Sequence, residues 1–283
     1  MTIGISTAFV SAFSDDVKHA YQSMGSGLLQ RIRIKTGVQG STYRFHKMGK
    51  GLASARIPQS DVVPMNVTNS NATATLSDWE APEYTDKYDL EKISYDERQE
   101  LVKVVSSAIT RRAEELVLDA LDAGASATQV VENYGGTAAG LTVTKIRRAA
   151  RLMDAKGVPM QDRTFLMDAI GKEQLLGSTL VTSSDYNSVK ALVNGEIDSF
   201  MGFKFLTFED RDEGGIVTTS SVTKNFAFHK DAIGLAEGLS MRTEINYIPE
   251  KTSWLINGIY SGGSVGIDNE GIYEVLSNNT ATY

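Results

Sequence analysis

The chain has 283 residues, is 41% hydrophobic and 22% charged, and carries a net charge of −7 with no cysteine. That is the balance of a folded chain big enough for one large domain or two ordinary ones. It excludes disulfides, thiolate metal sites and cysteine nucleophiles, and no apolar run approaches the roughly 20 residues of a bilayer-spanning helix. The charge is unevenly spread: residues 1–60 hold eight Lys/Arg against two acids, a balance of +6, which leaves −13 for the rest. A basic end suits a nucleic acid or an acidic surface, including that of another copy. Basic and acidic surfaces coexisting on one monomer would give the same count.

The opening MTIGISTAFVSAFSDDVKHAY lacks a basic leader and carries Asp15 and Asp16, so it reads as an amphipathic helix and not as a signal peptide. Ser6 or Thr7 can cap it, Phe9, Phe13, Val17, Ala20, Tyr21 and Met24 share one stripe, and Gly25 and Gly27 end it. RIRIK, from Arg31 to Lys35, then alternates charged and β-branched residues, as a strand with one basic face does.

From Gly37 to Lys92 short alternating runs are separated by Gly, Ser, Asn and Pro: Thr42 to Phe45, Val62-Val63, and Ala72 to Leu76. This predicts a long two-stranded excursion with a tip around Met48 to Ser60. A hairpin of that kind has little core of its own and needs a surface to lie on. Next, Ser94-Tyr95-Asp96-Glu97 reads as a capping box, followed by Leu101, Val104, Val105, Ala108, Ile109, Ala113, Leu116, Val117, Ala120 and Leu121 at helical spacing and a stop at Gly124. The predicted helix is about 43 Å long.

After a Gly/Ala-rich connector, TVTKIRRAARLMDAKG predicts a second helix made basic by Lys145, Arg147, Arg148, Arg151 and Lys156. A strand over Arg163–Met167, helices over Ala169–Leu176 and Ser184–Val193, and strands around Phe200–Phe208 and Ser221–Phe228 follow. The mixture indicates an α+β domain. MRTEINYIPEKTSWLINGIYSGGSVGI alternates as an antiparallel hairpin or meander, and NNTATY reads as a frayed tail.

Candidate chemistry is sparse. His229, Lys230 and Asp231 are adjacent, but neighbours on a strand face opposite sides, so they cannot converge on one substrate. HKMGKGLAS lacks the first Gly of a phosphate-binding loop and lies between strands. The acids of SDWEAPEYTDKYDLE and of FEDRDEGG have no cation-binding spacing and read as solvated or subunit-facing patches. No cofactor is implied. Basic residues of the second helix and of RIRIK could touch phosphates, without reading sequence.

Four segments carry a family likeness: ISTAFVSAF, LSDWEAPEYTDKYDLEKISYDERQ, MGFKFLTFED and NFAFHKDAIGLAEG. In this order, over nearly the whole chain, they resemble a tailed-bacteriophage major capsid protein. The resemblance implies the fold of that family, α+β. Its parts would be an N-terminal arm over 1–36, an extended loop (E-loop) and return strand over 37–92, and a peripheral domain with the spine helix over 93–130. An axial domain over 131–239 and a C-terminal β segment of the peripheral domain over 240–283 would follow.

It also implies a shell protein and no enzyme: pentamers and hexamers tiling an icosahedron around double-stranded DNA, in the virion, assembled in the host bacterial cytoplasm. No fused scaffolding segment is evident, so a separate scaffolding protein, a portal and a decoration protein are the implied partners, with no membrane. Under this resemblance Arg44, Lys47, Lys50 and Arg56 would lie across an acidic neighbour at Asp78, Glu80 and Glu83, or at Glu114, Glu115 and Asp119. Asp210 and Arg211 would sit near the capsomer axis, and Arg31, Arg33 and Lys35 would face DNA. Other classes remain open: an encapsulin-like shell around a cargo enzyme, a soluble hydrolase using His229, and a nucleic-acid-binding monomer.

Overall fold

The structure, a computed structural model, describes residues 25–281 except 26, 60, 92–95, 126–128, 135, 137–138, 178–198, 211–213 and 217. The helix expected before Gly25, the Ser94 end of the capping box and the helix expected over Ser184–Val193 lie outside the described residues. Two sheets and one long helix organise what is described.

The first sheet has four strands in the order β1 (Arg33–Lys35), β11 (Ile233–Ile248), β12 (Ser253–Gly266) and β4 (Ser77–Asp86). β1 runs parallel to β11, and the other pairs are antiparallel. β4 is an edge strand. It carries Pro82, which has no N–H to donate, and exposed Asp78 and Glu80, which are usual means of blunting an edge.

A single helical turn, α1 (Lys87–Leu90), follows β4, and helix α2 (Glu97–Ala125) crosses this sheet. Asp96 caps it, its Oδ1 accepting the Arg98 N–H at 3.2 Å, so the helix starts two residues later than the capping box at Ser94 implies. Val105, Ile109, Ala113, Val117, Leu121 and Ala125 are buried at a strict four-residue interval, the row of side chains that meets on one face. The helix approaches the sheet closely at Gly258, where a Cβ would lie 2.6 Å from Val105 Cγ1 and 3.0 Å from Ile109.

The second sheet has seven described strands, in the order β5 (Gln129–Val130), β13 (Ile272–Asn278), β10 (Val222–His229), β6 (Arg163–Met167), β8 (Phe203–Thr207) and β7 (Ser199–Phe200), with β9 (Thr218–Thr219) also on β10. Strand alternation on β10 sorts its side chains between two cores. Phe226 and Phe228 join Val117 and Leu121 of α2, whereas Ala227 joins Ile146, Ala149 and Met153 of helix α3 (Val143–Ala155). The sheet is thus sandwiched between α2 and α3. Helix α4 (Ala169–Gly177) is capped by buried Asp168, whose Oδ1 accepts the Gly171 N–H at 2.7 Å.

Three expectations need correction. Lys145 is not on a basic surface: it is fully buried, and its Nζ donates to the Ala139 carbonyl at 2.6 Å and the Leu276 carbonyl at 2.8 Å. The segment 240–283 is not one unit: β11 runs through residue 239, and β13 returns to the seven-stranded sheet. The tail is tied down at its start, where Asn279 N donates to the Ser221 carbonyl at 2.7 Å and Gln174 Nε2 to the Asn278 carbonyl at 2.8 Å.

Desolvation pushes the Lys145 ammonium down to about 8 from its usual 10.5, only partly offset by the nearby Glu132 carboxylate. The unfolded chain holds this proton more tightly than the folded one, so stability should rise as pH climbs from about 8 to 10.5. Urea unfolding across that window should show the rise, and Lys145→Met should remove it while costing the two carbonyl bonds. An unchanged profile in the variant would contradict this.

Candidate assembly contact site

Strands β2 (Thr42–Met48) and β3 (Asn69–Thr75) form a two-stranded antiparallel arm with no third strand beside it among the described residues. Its seat is small. Phe45 and Ala74 are buried against Ala236 of β11, with Val38, Tyr43, Ala72, Leu76, Val265 and Ile267 around them. Two glycines permit this seat: a Cβ on Gly234 would lie 2.7 Å from the Phe45 ring, and one on Gly263 would lie 1.9 Å from the Thr75 carbonyl oxygen. Beyond the seat, the tip is studded with exposed apolar side chains: Met48, Leu52, Ile57, Val62, Val63, Met65 and Val67, of which Val62 is 95% and Leu52 89% exposed.

Between the seat and the tip, ion pairs tie the arm to its own body. Lys47 Nζ lies 2.7 Å from Asp268 Oδ1, and Lys50 Nζ lies 2.6 Å from Glu270 Oε2. Lys156, just past α3, reaches the other oxygen of Glu270 at 3.2 Å. The two lysines hold the Glu270 carboxyl below the usual carboxylate range, Lys50 having the larger effect, and Glu270 in turn raises Lys50. Lys50, Lys156, Asp268 and Glu270 line a cleft of about 250 Å³ together with His229 and Asp231.

The cleft sits where the two sheets meet. The 3-10 turn Lys230–Ala232 links β10 to β11, the turn Asn269–Gly271 links β12 to β13, and Ile267 N donates to the Ala232 carbonyl at 2.7 Å to join them. His229 ends β10 here. It is 8% exposed, and its Nδ1 accepts the Asp231 N–H at 3.2 Å, so the ring caps the turn. The Asp231 carboxylate stands 4.0 Å away and 72% exposed. Among the described residues no group of three or more His, Asp or Glu is arranged to hold a metal ion.

An arm without a surface of its own, a long helix across one sheet and a second sheet hinged to the first find counterparts in known proteins. The sequence profile of the family described as phage capsid protein matches residues 5–278. The chain belongs to that family. No curated protein sequence matches this capsid protein. Solved structures do: the capsid of cyanophage P-SCSP1u aligns with a TM-score of 0.78 at 16% identity over 99% of this chain and 96% of that one. The head of Helicobacter pylori bacteriophage KHP40 gives 0.74 at 11% identity, covering 94% of both chains. The capsid of Ralstonia phage GP4 gives 0.73 at 11% identity, over 100% and 99%. At these identities the likeness shows that this capsid protein has the tailed-phage capsid fold.

The sequence-derived contact residues of the capsid protein fall into three groups. Arg44 and Arg56 are exposed on the arm, Asp78, Glu80 and Glu83 are exposed along β4, and Arg33 and Lys35 are exposed on β1 with Arg31 half-buried before it. Lys47 and Lys50 are engaged within the chain by Asp268 and Glu270, which sequence reasoning missed; a short acidic turn between two strands was the available signal.

The remaining residues fit less well. Glu114 must be withdrawn as a contact residue, because it lies on the buried side of α2 and is 1% exposed. Glu115 pairs with Arg112, whose guanidinium also stacks 3.7 Å over Trp79. Asp119 is exposed, its carboxyl raised by partial desolvation and then by Glu115. Asp210 is exposed, and Arg211 lies outside the described residues.

Proposed function

We propose that this is a major capsid protein that assembles as pentamers and hexamers into an icosahedral shell enclosing double-stranded DNA. The observation that carries the reading is the arm tip, an exposed apolar surface on a hairpin too thin to bury it. Such surfaces mark protein interfaces, and a heterologous contact repeated around a closed ring lets one chain build the assembly.

In this reading residues 37–92 are the E-loop, α2 is the spine helix and the seven-stranded sheet belongs to the axial domain. The tip lies on an adjacent copy, with Asp78, Glu80 and Glu83 of that copy's β4 facing the basic arm. Apolar burial supplies the affinity and charge the orientation. Arg31, Arg33 and Lys35 meet packaged DNA through phosphates, without sequence preference. The shell is built in the host bacterial cytoplasm with a separate scaffolding protein and a portal, and a decoration protein can bind outside.

Reversing Lys47, Lys50 and Arg56 to Glu should abolish regular particles in negative-stain images at both low and high salt. Normal particles under both conditions would refute the charge-oriented contact. Expressed alone, the chain should yield capsomers and irregular particles; closed shells of one size would show that no scaffolding partner is needed. Shells from the natural host that hold protein cargo and no DNA would move the protein to the encapsulin-like class.

A further inference from the structure

We propose that the arm of the unassembled subunit is held in an assembly-silent position by an ion-pair latch, Lys47–Asp268 and Lys50–Glu270–Lys156, which a second copy opens by offering the arm lysines its own β4 carboxylates. This rests on the shell reading above.

Three observations lead to the latch. The first is double use: Lys47 and Lys50 are half the basic set with which the arm would meet a neighbour, yet both are paired inside the chain at 2.7 and 2.6 Å. An ammonium held by Asp268 or Glu270 is less available to orient the arm on another subunit, because the carboxylate takes up part of its donor capacity and neutralises its charge. The second is position. The buried anchor ends at Phe45 and Ala74, and the ion pairs act just beyond it, where they set the direction of the tip. Glu270 is also bound by Lys156, and both acids belong to the turn that joins the two sheets, so the latch ties the arm to the hinge between them.

The third observation is reversibility. The carboxylates of Asp268 and Glu270 are 35% and 38% exposed, and the Lys50 side chain is 76% exposed. Pairs this open to solvent are weak and salt-screened, so competing carboxylates on a neighbour can displace them while the apolar seat stays in place. Asp78 and Glu80, exposed on a blunted edge strand, are suitable competitors.

The absence of cysteine makes the test clean. A Ser70→Cys, Asn269→Cys chain, whose two positions line one cleft between the arm and the sheet-joining turn and are not among the proposed contacts, is bridged with a reducible bifunctional methanethiosulfonate, and light scattering and negative stain follow its assembly into capsomers and particles. The bridged chain should remain unassembled and the reduced chain should assemble. Bridged chains that assemble as fast as reduced ones would overturn the latch. If neither the reduced chain nor the parent assembles, the shell reading fails, and a second measurement decides the latch by itself. A spin label on Ile57→Cys should move faster when Asp268→Asn and Glu270→Gln are added to the unassembled chain; unchanged mobility would overturn it.

Discussion

Phe228→Ala is expected to destabilise the unassembled chain by about 3–5 kcal/mol, the usual cost of deleting a buried phenylalanine ring. Phe228 is fully buried on β10, in the core that joins α2 to the seven-stranded sheet, beside Phe226, Val117, Leu121 and Ile272. Backbone pairing of β10 with β6 on one side and β13 on the other holds the surroundings in place, so the void cannot collapse fully. Urea unfolding should show a lower midpoint with an unchanged slope. Met160→Ala, at a side chain 62% exposed, should leave the midpoint nearly unmoved. A loss below about 1 kcal/mol for Phe228→Ala would mean that this core does not bind helix to sheet as described.

Gly263→Ala tests the seat of the arm. The added Cβ would lie 1.9 Å from the Thr75 carbonyl oxygen and 2.7 Å from its carbon, so the obstacle is backbone with no rotamer to move aside. Either β12 or the β3–β4 junction must shift. Overpacking of this sort costs about 1–3 kcal/mol, and more where backbone is displaced. The larger consequence is for assembly, since moving Thr75 swings the arm off Ala236. The variant should fold with both main cores intact but lose particles. Gly266→Ala, whose nearest neighbours are 3.4 Å away, should assemble as the parent does. Normal particles from Gly263→Ala would show that the arm's placement does not govern assembly.

How much of this was legible in the sequence varied with the distance over which residues interact. The long helix was legible because its buried row repeats every four residues, and strand β6 because all five of its residues are buried within the Arg163–Met167 run. The paired polar and apolar residues of β10 also announced a strand end, which is what His229 became. The junction cluster was only half legible: the acidic turn between β12 and β13 was there to read, but Lys50 and Glu270 are 220 residues apart and the turn does not say which lysine it meets. Lys145 looked like one more surface cation on a basic helix, because the carbonyls that satisfy it come from a loop and from β13. Glu114 was misplaced for a related reason, as an acid one position from Ala113 on the apolar row is carried into the interior with it.

Cryo-electron microscopy of particles formed by the chain, at a resolution that traces side chains, bears most directly on the shell. Rings of five and six copies are predicted, with residues 49–68 of each copy lying on the adjacent copy and Lys47 and Lys50 facing its β4 acids. Particles in which every arm stays paired with its own Asp268 and Glu270, or a chain that remains monomeric at all concentrations, would contradict it.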